Sequence, residues 1–183
     1  MTILSDSTVY DGAPHNIEGR LEREIRTYRL LESLNIPFKR LDHKAAMTME
    51  DCDGIDTLLD IEHCKNLFLR NTQKTEFYLL LLPHYKKFRT AVLSKQIGTA
   101  RLSFAEEEFM VKYLDIHPGS VSILGLMNDI DRKVHLLIDK DALTKEYMGC
   151  HPCVNTSSLR IKTSDIYDKF LKYTGHEPIF VTL

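Results

Sequence analysis

The densest group of reactive side chains in this sequence is Cys150-His151-Pro152-Cys153. A Cys-x-x-Cys pair can act as a redox couple or supply half of a zinc site. A zinc site would need a second pair, and the remaining cysteines, Cys52 and Cys64, are twelve residues apart. The predicted elements place the pair after a helix and before a loop, whereas a thioredoxin-type pair opens a helix after a strand. We therefore expect free thiols, no metal centre and no cofactor.

Common catalytic signatures do not occur in the sequence: there is no Gly-x-Ser-x-Gly, no phosphate-binding glycine loop and no His-Glu-x-x-His. A standard enzyme built on a nucleophile and its base is therefore not predicted. The unusual residue is Lys65, which begins the apolar segment KNLFL. Lysine is rarely buried without a partner, so Lys65 points either to solvent, as an ordinary strand-end charge, or into a cleft.

A second candidate is the segment that begins at Gly149. Glycine followed by a constrained His-Pro pair predicts a stiff loop with exposed backbone, which could line a small pocket. A plain turn after a short helix is the alternative. Four polar residues that follow could bind an ester or an amine, or merely satisfy turn backbone: Asn155, Thr156, Ser157 and Ser158.

These residues must be positioned by a mixture of helices and strands. Apolar residues repeat every three or four positions in 18–35 and predict the first helix. Ser103 with Glu106 has the spacing of a capping box. The remaining patterns predict strands at 38–43, 66–70, 76–82, 121–126, 133–139 and 178–183, and helices at 47–61, 104–115, 141–148 and 164–175. Because strand and helix do not alternate strictly, the fold class is α+β, or mixed α/β.

Charge is distributed unevenly along the chain. Residues 42–62 sum to −6 and residues 65–101 sum to +7, although the whole chain carries only −2. One basic face could therefore meet phosphates, or it could be a solvated surface that binds nothing.

Length and composition fit one globular domain, since 183 residues with 43% hydrophobic residues can form a sizeable core. The longest apolar run is six residues, far below the roughly 20 needed to cross a membrane. The first twenty residues lack a basic stretch followed by an apolar core, so we expect no secretory signal and a cytoplasmic protein.

Several segments, in order, resemble the YbaK/ProX-type aminoacyl-tRNA editing domains. They are LDHKAAMTMED, CKNLFLRNTQKTEFYLLLLP, HPGSVSILGL, KVHLLIDKDAL, GCHPCVNTSS and GHEPIFVTL. Within the family the likeness is greatest to stand-alone prolyl-tRNA editing proteins. It implies one α+β domain over 18–183, with a mostly antiparallel or barrel-like sheet flanked by helices and with residues 1–17 as an N-terminal extension.

The resemblance also implies the site residues. Lys65 and Asn66 would be catalytic. Substrate would be bound by Ser122, Gly125, Gly149, His151, Pro152 and Asn155. The positive charge of the segment at 65–101, and not the resemblance, predicts that Arg70, Lys74, Lys86 and Lys87 bind tRNA phosphates. One departure from the family pattern is Ile123, which stands where the family commonly has proline. This difference affects the expected shape of the pocket wall and therefore the amino acid that is removed.

The implied activity is hydrolysis of mischarged tRNA, with Ala-tRNA(Pro) as the expected substrate. Cys-tRNA(Pro) and other small aminoacyl esters are alternatives, and prolyl-tRNA synthetase is an expected partner. Two further hypotheses remain open at this point: a non-catalytic module that binds tRNA or synthetase, and a sensor of small amino acids.

Overall fold

The computed structural model of the protein describes residues 7–45 and 49–183, with side chains in 7–45 and 54–183. Its strands form two open sheets. The first sheet has four antiparallel strands, in the spatial order β1 (Val9–Asp11), β2 (Phe38–Asp42), β8 (Ser157–Lys162) and β7 (Tyr147–Cys150). The second sheet has five, in the order β5 (Ser103–Phe104), β3 (Cys64–Arg70), β4 (Phe77–Pro83), β6 (Val134–Asp139) and β9 (Ile179–Val181).

Within the second sheet, β3 pairs antiparallel with β4 and β5, whereas β6 runs parallel to both β4 and β9. A single bridge between His63 and Gly149 joins β7 of the first sheet to the start of β3 in the second. The helices are α1 (Glu22–Ser33), α2 (Met49–Leu59), α3 (Thr90–Ile97), α4 (Glu107–Leu114), a 3₁₀ helix (Ile123–Asn128), and a C-terminal run of α5 (Thr163–Asp165), a π turn (Ile166–Phe170) and α6 (Leu171–Thr174).

Both sheets turn one face toward the main core. The first sheet contributes side chains such as Phe38 and Leu159, the second contributes Phe68 and Leu79, and α1 covers them with Leu31. We call this the inner face. Since side chains alternate along a strand, the intervening residues lie on the opposite, outer face.

Two smaller clusters cover the outer face. On the first sheet, α2 packs Ile55 and Leu59 against Leu41. On the second, Leu93 of α3 packs with Leu82 of β4. The outer face is therefore covered by two separate helices, and the junction of the sheets lies between their two clusters.

The predicted fold class is confirmed. The protein is mixed α+β with mostly antiparallel strand pairing, and neither sheet closes into a barrel. Strands β1 and β7 end the first sheet, and β5 and β9 end the second. The division at residue 17 stays a prediction. Strand β1, which lies before it, pairs with β2 and belongs to the first sheet.

Three element predictions are wrong. Residues 121–126 do not form a strand, because Ser122 caps a 3₁₀ helix by accepting the N–H of Leu124. Residues 141–148 do not form a helix. Leu143 adopts φ 53°, and the chain then enters β7, whose pairing with β8 decides the structure.

The capping box is the third wrong element, since Ser103 belongs to β5 and pairs with Arg70. The N-cap of α4 is Glu106, without a side-chain cap hydrogen bond. The first helix also begins later than predicted, at Glu22. Within the residues that the structure describes, no helix is long and apolar enough to cross a membrane.

A buried, hydrogen-bonded pair of Asp129 and His176 fastens the C-terminal loop to the start of β6. Asp129 accepts the backbone N–H groups of Lys133 (2.9 Å) and Val134 (2.7 Å), and His176 Nε2 lies 3.0 Å from its carboxylate. Burial raises the pKa of Asp129, but the hydrogen bonds from His176 and the two backbone groups outweigh this and hold the pKa below its usual value.

We predict that Asp129→Asn lowers the free energy of unfolding by about 3 kcal/mol at neutral pH, because it breaks a buried pair. The pKa of Asp129 is depressed in the folded state. Its stabilisation is therefore present above the unfolded carboxyl pKa of about 3.9 and is lost as pH falls through the lower folded value. In denaturant titrations, the difference in free energy of unfolding between wild type and the variant should stay constant down to about pH 4 and become smaller below that pH. Asp131→Asn, at an exposed neighbour, is the control.

Candidate active site

Three histidine rings meet on the outer face where the two sheets join. His43 follows β2, His151 follows β7 and His63 precedes β3. The ring centroid of His151 lies 5.8 Å from that of His63 and 6.2 Å from that of His43. His43 and His63 are buried and His151 is half-buried. We call these three residues the histidine cluster.

Neighbouring oxygens determine the tautomer of each ring. His43 Nδ1 lies 2.7 Å from the carbonyl of Lys44, and its Nε2 lies 2.9 Å from Ser158 Oγ. His151 Nδ1 lies 2.9 Å from the carbonyl of Ser157. Because a carbonyl only accepts, Nδ1 carries the proton in both rings, and His43 Nε2 accepts the Ser158 hydroxyl.

His43 and His151 are uncharged at neutral pH. Burial lowers the pKa of His151 to about 4, and the neighbouring His63 acts in the same direction. Burial also lowers the pKa of His43. Protonating these rings therefore opposes folding as the pH falls below about 6.5 toward 4. A neutral imidazole that carries its proton at Nδ1 has a lone pair at Nε2, and this atom can accept a proton or a hydrogen bond.

Gly149 lets the two sheets approach each other at this point. It lies in strand β7 and is buried there, which corrects the expectation of an exposed loop glycine. A Cβ at this position would lie 2.5 Å from Ile61 Cδ1 and 3.3 Å from both Cδ2 and Cε1 of His63. The glycine is favoured because Ile61 Cδ1, together with the ring of His63, occupies the space of a side chain.

Lys65 lies beside the histidine cluster, whereas Asn66 does not. Lys65 is two residues beyond His63 along extended backbone, so both side chains leave the same side of the strand. Its ammonium donates to the carbonyl of Lys86 at 2.9 Å. Asn66 lies on the inner face, where it donates to the carbonyl of Cys64. The structure therefore separates the two predicted catalytic residues by the thickness of the sheet.

Ser122 and Gly125 lie in the main core. The hydroxyl of Ser122 is fully buried and caps the 3₁₀ helix, and a Cβ at Gly125 would meet Ile116 Cδ1 at 2.5 Å. Ile123, the departure from the family pattern, is also completely buried. The substrate contacts predicted for Ser122 and Gly125 remain predictions, and the structure shows packing roles for both.

The loop at 151–156 is held from the core side. Pro152 and Cys153 are buried, and Cys153 Sγ lies 3.5 Å from the hydroxyl of Thr27 in α1. Asn155 is half-buried. Burial raises the pKa of Cys153 to about 11 and that of Cys150 further. These are poorly reactive thiols, and the pair follows strand β7 instead of the predicted helix.

No group of three or more His, Cys, Asp or Glu side chains in the described part of the chain could hold a metal ion. Cys52, which entered the prediction of no metal site, lies outside the described side chains. In the histidine cluster, hydrogen bonds to oxygens already engage Nδ1 of His43 and His151.

Comparison with known proteins identifies the family. Residues 43–169 match the family described as the aminoacyl-tRNA editing domain, and this range contains the entire histidine cluster and Lys65. The chain belongs to the aminoacyl-tRNA editing domain family.

Relatives that match over most of their own length support this membership. The chain is 30% identical over 147 residues to the prolyl-tRNA editing protein ProX of Acetoanaerobium sticklandii. The matched region covers 80% of this chain and 88% of ProX. It is 30% identical over 155 residues to prolyl-tRNA synthetase associated domain-containing protein 1 of Mus musculus, covering 82% and 90% of the two chains.

The fold comparison agrees with the family. The crystal structure of a protein proposed to be a trans-editing enzyme for prolyl tRNA synthetase superposes with a TM-score of 0.64 at 14% identity. The superposition covers 89% of this chain and 98% of that one. At this identity the likeness shows the fold.

The structure changes how the basic residues of the editing domain are understood. Arg70 and Lys74 both bind Glu106, at 2.8 Å each, and these hydrogen bonds hold the pKa of Glu106 down at about 2. Lys86 lies 2.7 Å from the fully buried carboxylate of Asp139. Lys87 is exposed, and among the described residues no acidic partner of it is found. Phosphate contacts from these four residues stay a prediction, and three of the four would have to leave an ion pair.

Sequence reasoning did not assign His43, His63 or Asp56 to the site. In the sequence, Asp56 is one of seven acidic residues between 42 and 62, and no motif includes His63. The three rings come from segments about 20 and 90 residues apart in sequence. The pairing of β2, β8 and β7 brings His43 to His151, and the bridge to Gly149 brings His63 to them.

We predict opposite results for two adjacent lysines. Lys86→Ala leaves the carboxylate of Asp139 buried without its cation, so the free energy of unfolding should fall by about 3 kcal/mol. Lys87→Ala should change it by less than about 0.5 kcal/mol, as is usual for an exposed residue. Urea unfolding measures both, and equal stability of the two variants would contradict the structural role of Lys86.

We predict that Gly149→Ala destabilises the fold by about 1–3 kcal/mol, because a methyl group must displace Ile61 Cδ1 and press on the ring of His63. Adding Ile61→Val removes the nearest atom and should restore part of the loss, but not the part due to His63. Denaturant midpoints for the single and double variants provide the measurement. Wild-type stability of the single variant would show that the sheets can separate at this point without cost.

Proposed function

We propose that this chain is a trans-editing hydrolase that deacylates mischarged tRNA, with Ala-tRNA(Pro) as its main substrate. The observation that carries the proposal is the placement of Lys65 and the histidine cluster. Both lie within the residues that match the editing domain, and both lie on the outer face at one junction between sheets. Similarity to a prolyl-tRNA editing protein and to a prolyl-tRNA synthetase associated domain-containing protein supports proline tRNA as the carrier.

The chemistry needs no protein nucleophile. An aminoacyl ester is already activated, and a free ribose hydroxyl lies next to the bond that breaks, so positioning and charge stabilisation can supply much of the rate. Lys65 would pair with the phosphate of the terminal adenosine or polarise the ester. The carbonyl of Lys86 holds its ammonium in place before substrate arrives.

Size exclusion would set the specificity. One methylene discriminates by only about 1–3 kcal/mol, so an editing site works best by refusing the bulkier cognate residue. The loop at 151–156 suits this role because Pro152 and Cys153 anchor it in the core. His151 would limit the side chain that fits. Backbone carbonyls of the loop would bind the ammonium group of the amino acid.

Affinity for tRNA would come from basic side chains that are free to meet phosphates. Four exposed bases on or beside α3 have no acidic partner within the described part of the chain: Lys87, Arg89, Lys95 and Arg101. Prolyl-tRNA synthetase would be a transient partner that releases the substrate, in the cytoplasm where charged tRNA is used.

Hydrolysis of a panel of aminoacyl-tRNAs tests this function. Alanyl, cysteinyl, seryl and prolyl esters of proline tRNA are incubated with the purified chain under single-turnover conditions. We expect rapid loss of alanine and little loss of proline. Binding of tRNA without hydrolysis of any ester would support a non-catalytic module instead. Hydrolysis of free small esters without affinity for tRNA at low salt would exclude a role on tRNA.

We predict that Lys65→Ala lowers the deacylation rate at saturating tRNA at least about tenfold, or roughly 1.4 kcal/mol of transition-state stabilisation, while the fold persists. Lys133→Ala, at an exposed lysine before β6, is the control and should keep the wild-type rate. A wild-type rate for Lys65→Ala would remove Lys65 from the site.

A further inference from the structure

Asp56 fixes the ring of His63 in one orientation. The carboxylate receives the backbone N–H of His63 at 3.2 Å and also contacts its ring Nδ1. Because a carboxylate only accepts, Nδ1 carries the proton, and the lone pair of the ring lies at Nε2. A carboxylate that holds Nδ1–H is the arrangement that prepares histidine to accept a proton at Nε2.

Among the residues that the structure describes, none forms a hydrogen bond with the Nε2 atom of His63, although this atom is completely buried and the whole residue is only 4% exposed. Buried polar atoms are almost always paired, so an unpaired one needs an explanation. Ser157 and Ser158 engage the other two rings of the cluster, and His63 is left with an unused acceptor.

Another buried histidine nitrogen without a partner among the described residues belongs to a ring with a structural role. His176 Nδ1 is unpaired, but its ring is bound to Asp129 beside the C-terminal loop. His63 differs in that its ring packs against Gly149 and lies 5.8 Å from His151. The unused acceptor is therefore inside the candidate active site.

We propose that His63 is a catalytic residue, the general base that activates water for ester hydrolysis, with Asp56 as its positioning residue. This inference rests on the proposed deacylase function and adds a proton acceptor to it. It does not require the ribose hydroxyl of the substrate to do all of the proton transfer.

The step balances without a further reactant. A water molecule gives one proton to His63 Nε2 while its oxygen forms a bond to the ester carbonyl carbon. The tetrahedral oxyanion then re-forms the carbonyl, and the bond to the ribose oxygen breaks. That oxygen takes the proton back from His63, giving the free amino acid and the terminal hydroxyl of the tRNA. The imidazole returns to its neutral form, ready for the next substrate.

His63→Gln tests the base, and His117→Gln is its matched control. His117 also pairs with a carboxylate, Glu107, at 2.7 Å, but both residues are exposed and remote from the cluster in the fold. Two quantities are measured for each variant: the single-turnover rate on Ala-tRNA(Pro), and the affinity for the same tRNA carrying alanine through a non-hydrolysable amide.

For His63→Gln we expect the rate to fall at least about 100-fold, as is usual when a general base is removed, while the affinity for the amide stays within about twofold. His117→Gln should match wild type in both. A wild-type rate in His63→Gln would overturn the proposal. So would a loss of amide affinity equal to the loss of rate, because His63 would then only bind substrate.

Asp56→Asn keeps the test decisive if His63→Gln does not fold, since the Asp56 side chain is 25% exposed. Its rate should fall at least about tenfold with unchanged affinity for the amide, because an amide no longer secures the Nδ1–H tautomer. An unchanged rate would overturn the role of the pair. If wild-type protein hydrolyses no ester of the panel, the proposed function itself fails, which is a different result from an active wild type with an equally active His63→Gln.

Discussion

The arrangement of the editing domain depends on how closely two backbones approach where β7 meets the start of β3. At that point the ring of His63 occupies the space that a side chain at Gly149 would need. This contact joins two sheets that are otherwise separate, and it brings the end of β7 to the beginning of β3. The histidine cluster, the loop at 151–156 and Lys65 are neighbours for this reason.

Three of the eight bases in the segment at 65–101 form ion pairs within the molecule. The positive segment at 65–101 sends Arg70 and Lys74 to Glu106, and Lys86 to Asp139. The summed charge of a segment counts every basic residue, whereas a phosphate group binds only the cations that remain unpaired at the surface. In this segment, the exposed cations with no acidic partner in the described part of the chain lie on or beside α3, the helix that covers the outer face of the second sheet.

Much of the fold could be predicted from sequence, because local patterns determine it. The periodicity of α1 and the hairpin of β3 and β4 were predictable from the spacing of apolar residues and from the turn between the strands. Residues 121–126 were not, since a short buried apolar run fits a strand or a helix equally well. Residues 147–150 form a strand because they pair with β8, and the local sequence does not predict this pairing. The candidate site divides in the same way. Lys65 and His151 were found through short motifs, whereas His43 and Asp56 join the site only through contacts that are distant in sequence.

The loop at 151–156 has one side in the core and an opposite side that carries His151 toward the histidine cluster. Cys153 adopts a left-handed backbone conformation with φ 63°, and its thiol is buried against Thr27 of α1. His151, on the opposite side, contacts only the ends of strands and the other two rings. In the proposed site, substitutions on the side that carries His151 would therefore alter which amino acid is accepted without disturbing the packing that holds the loop. This division of labour gives such a domain a way to diverge toward new mischarged tRNAs while its scaffold stays constant.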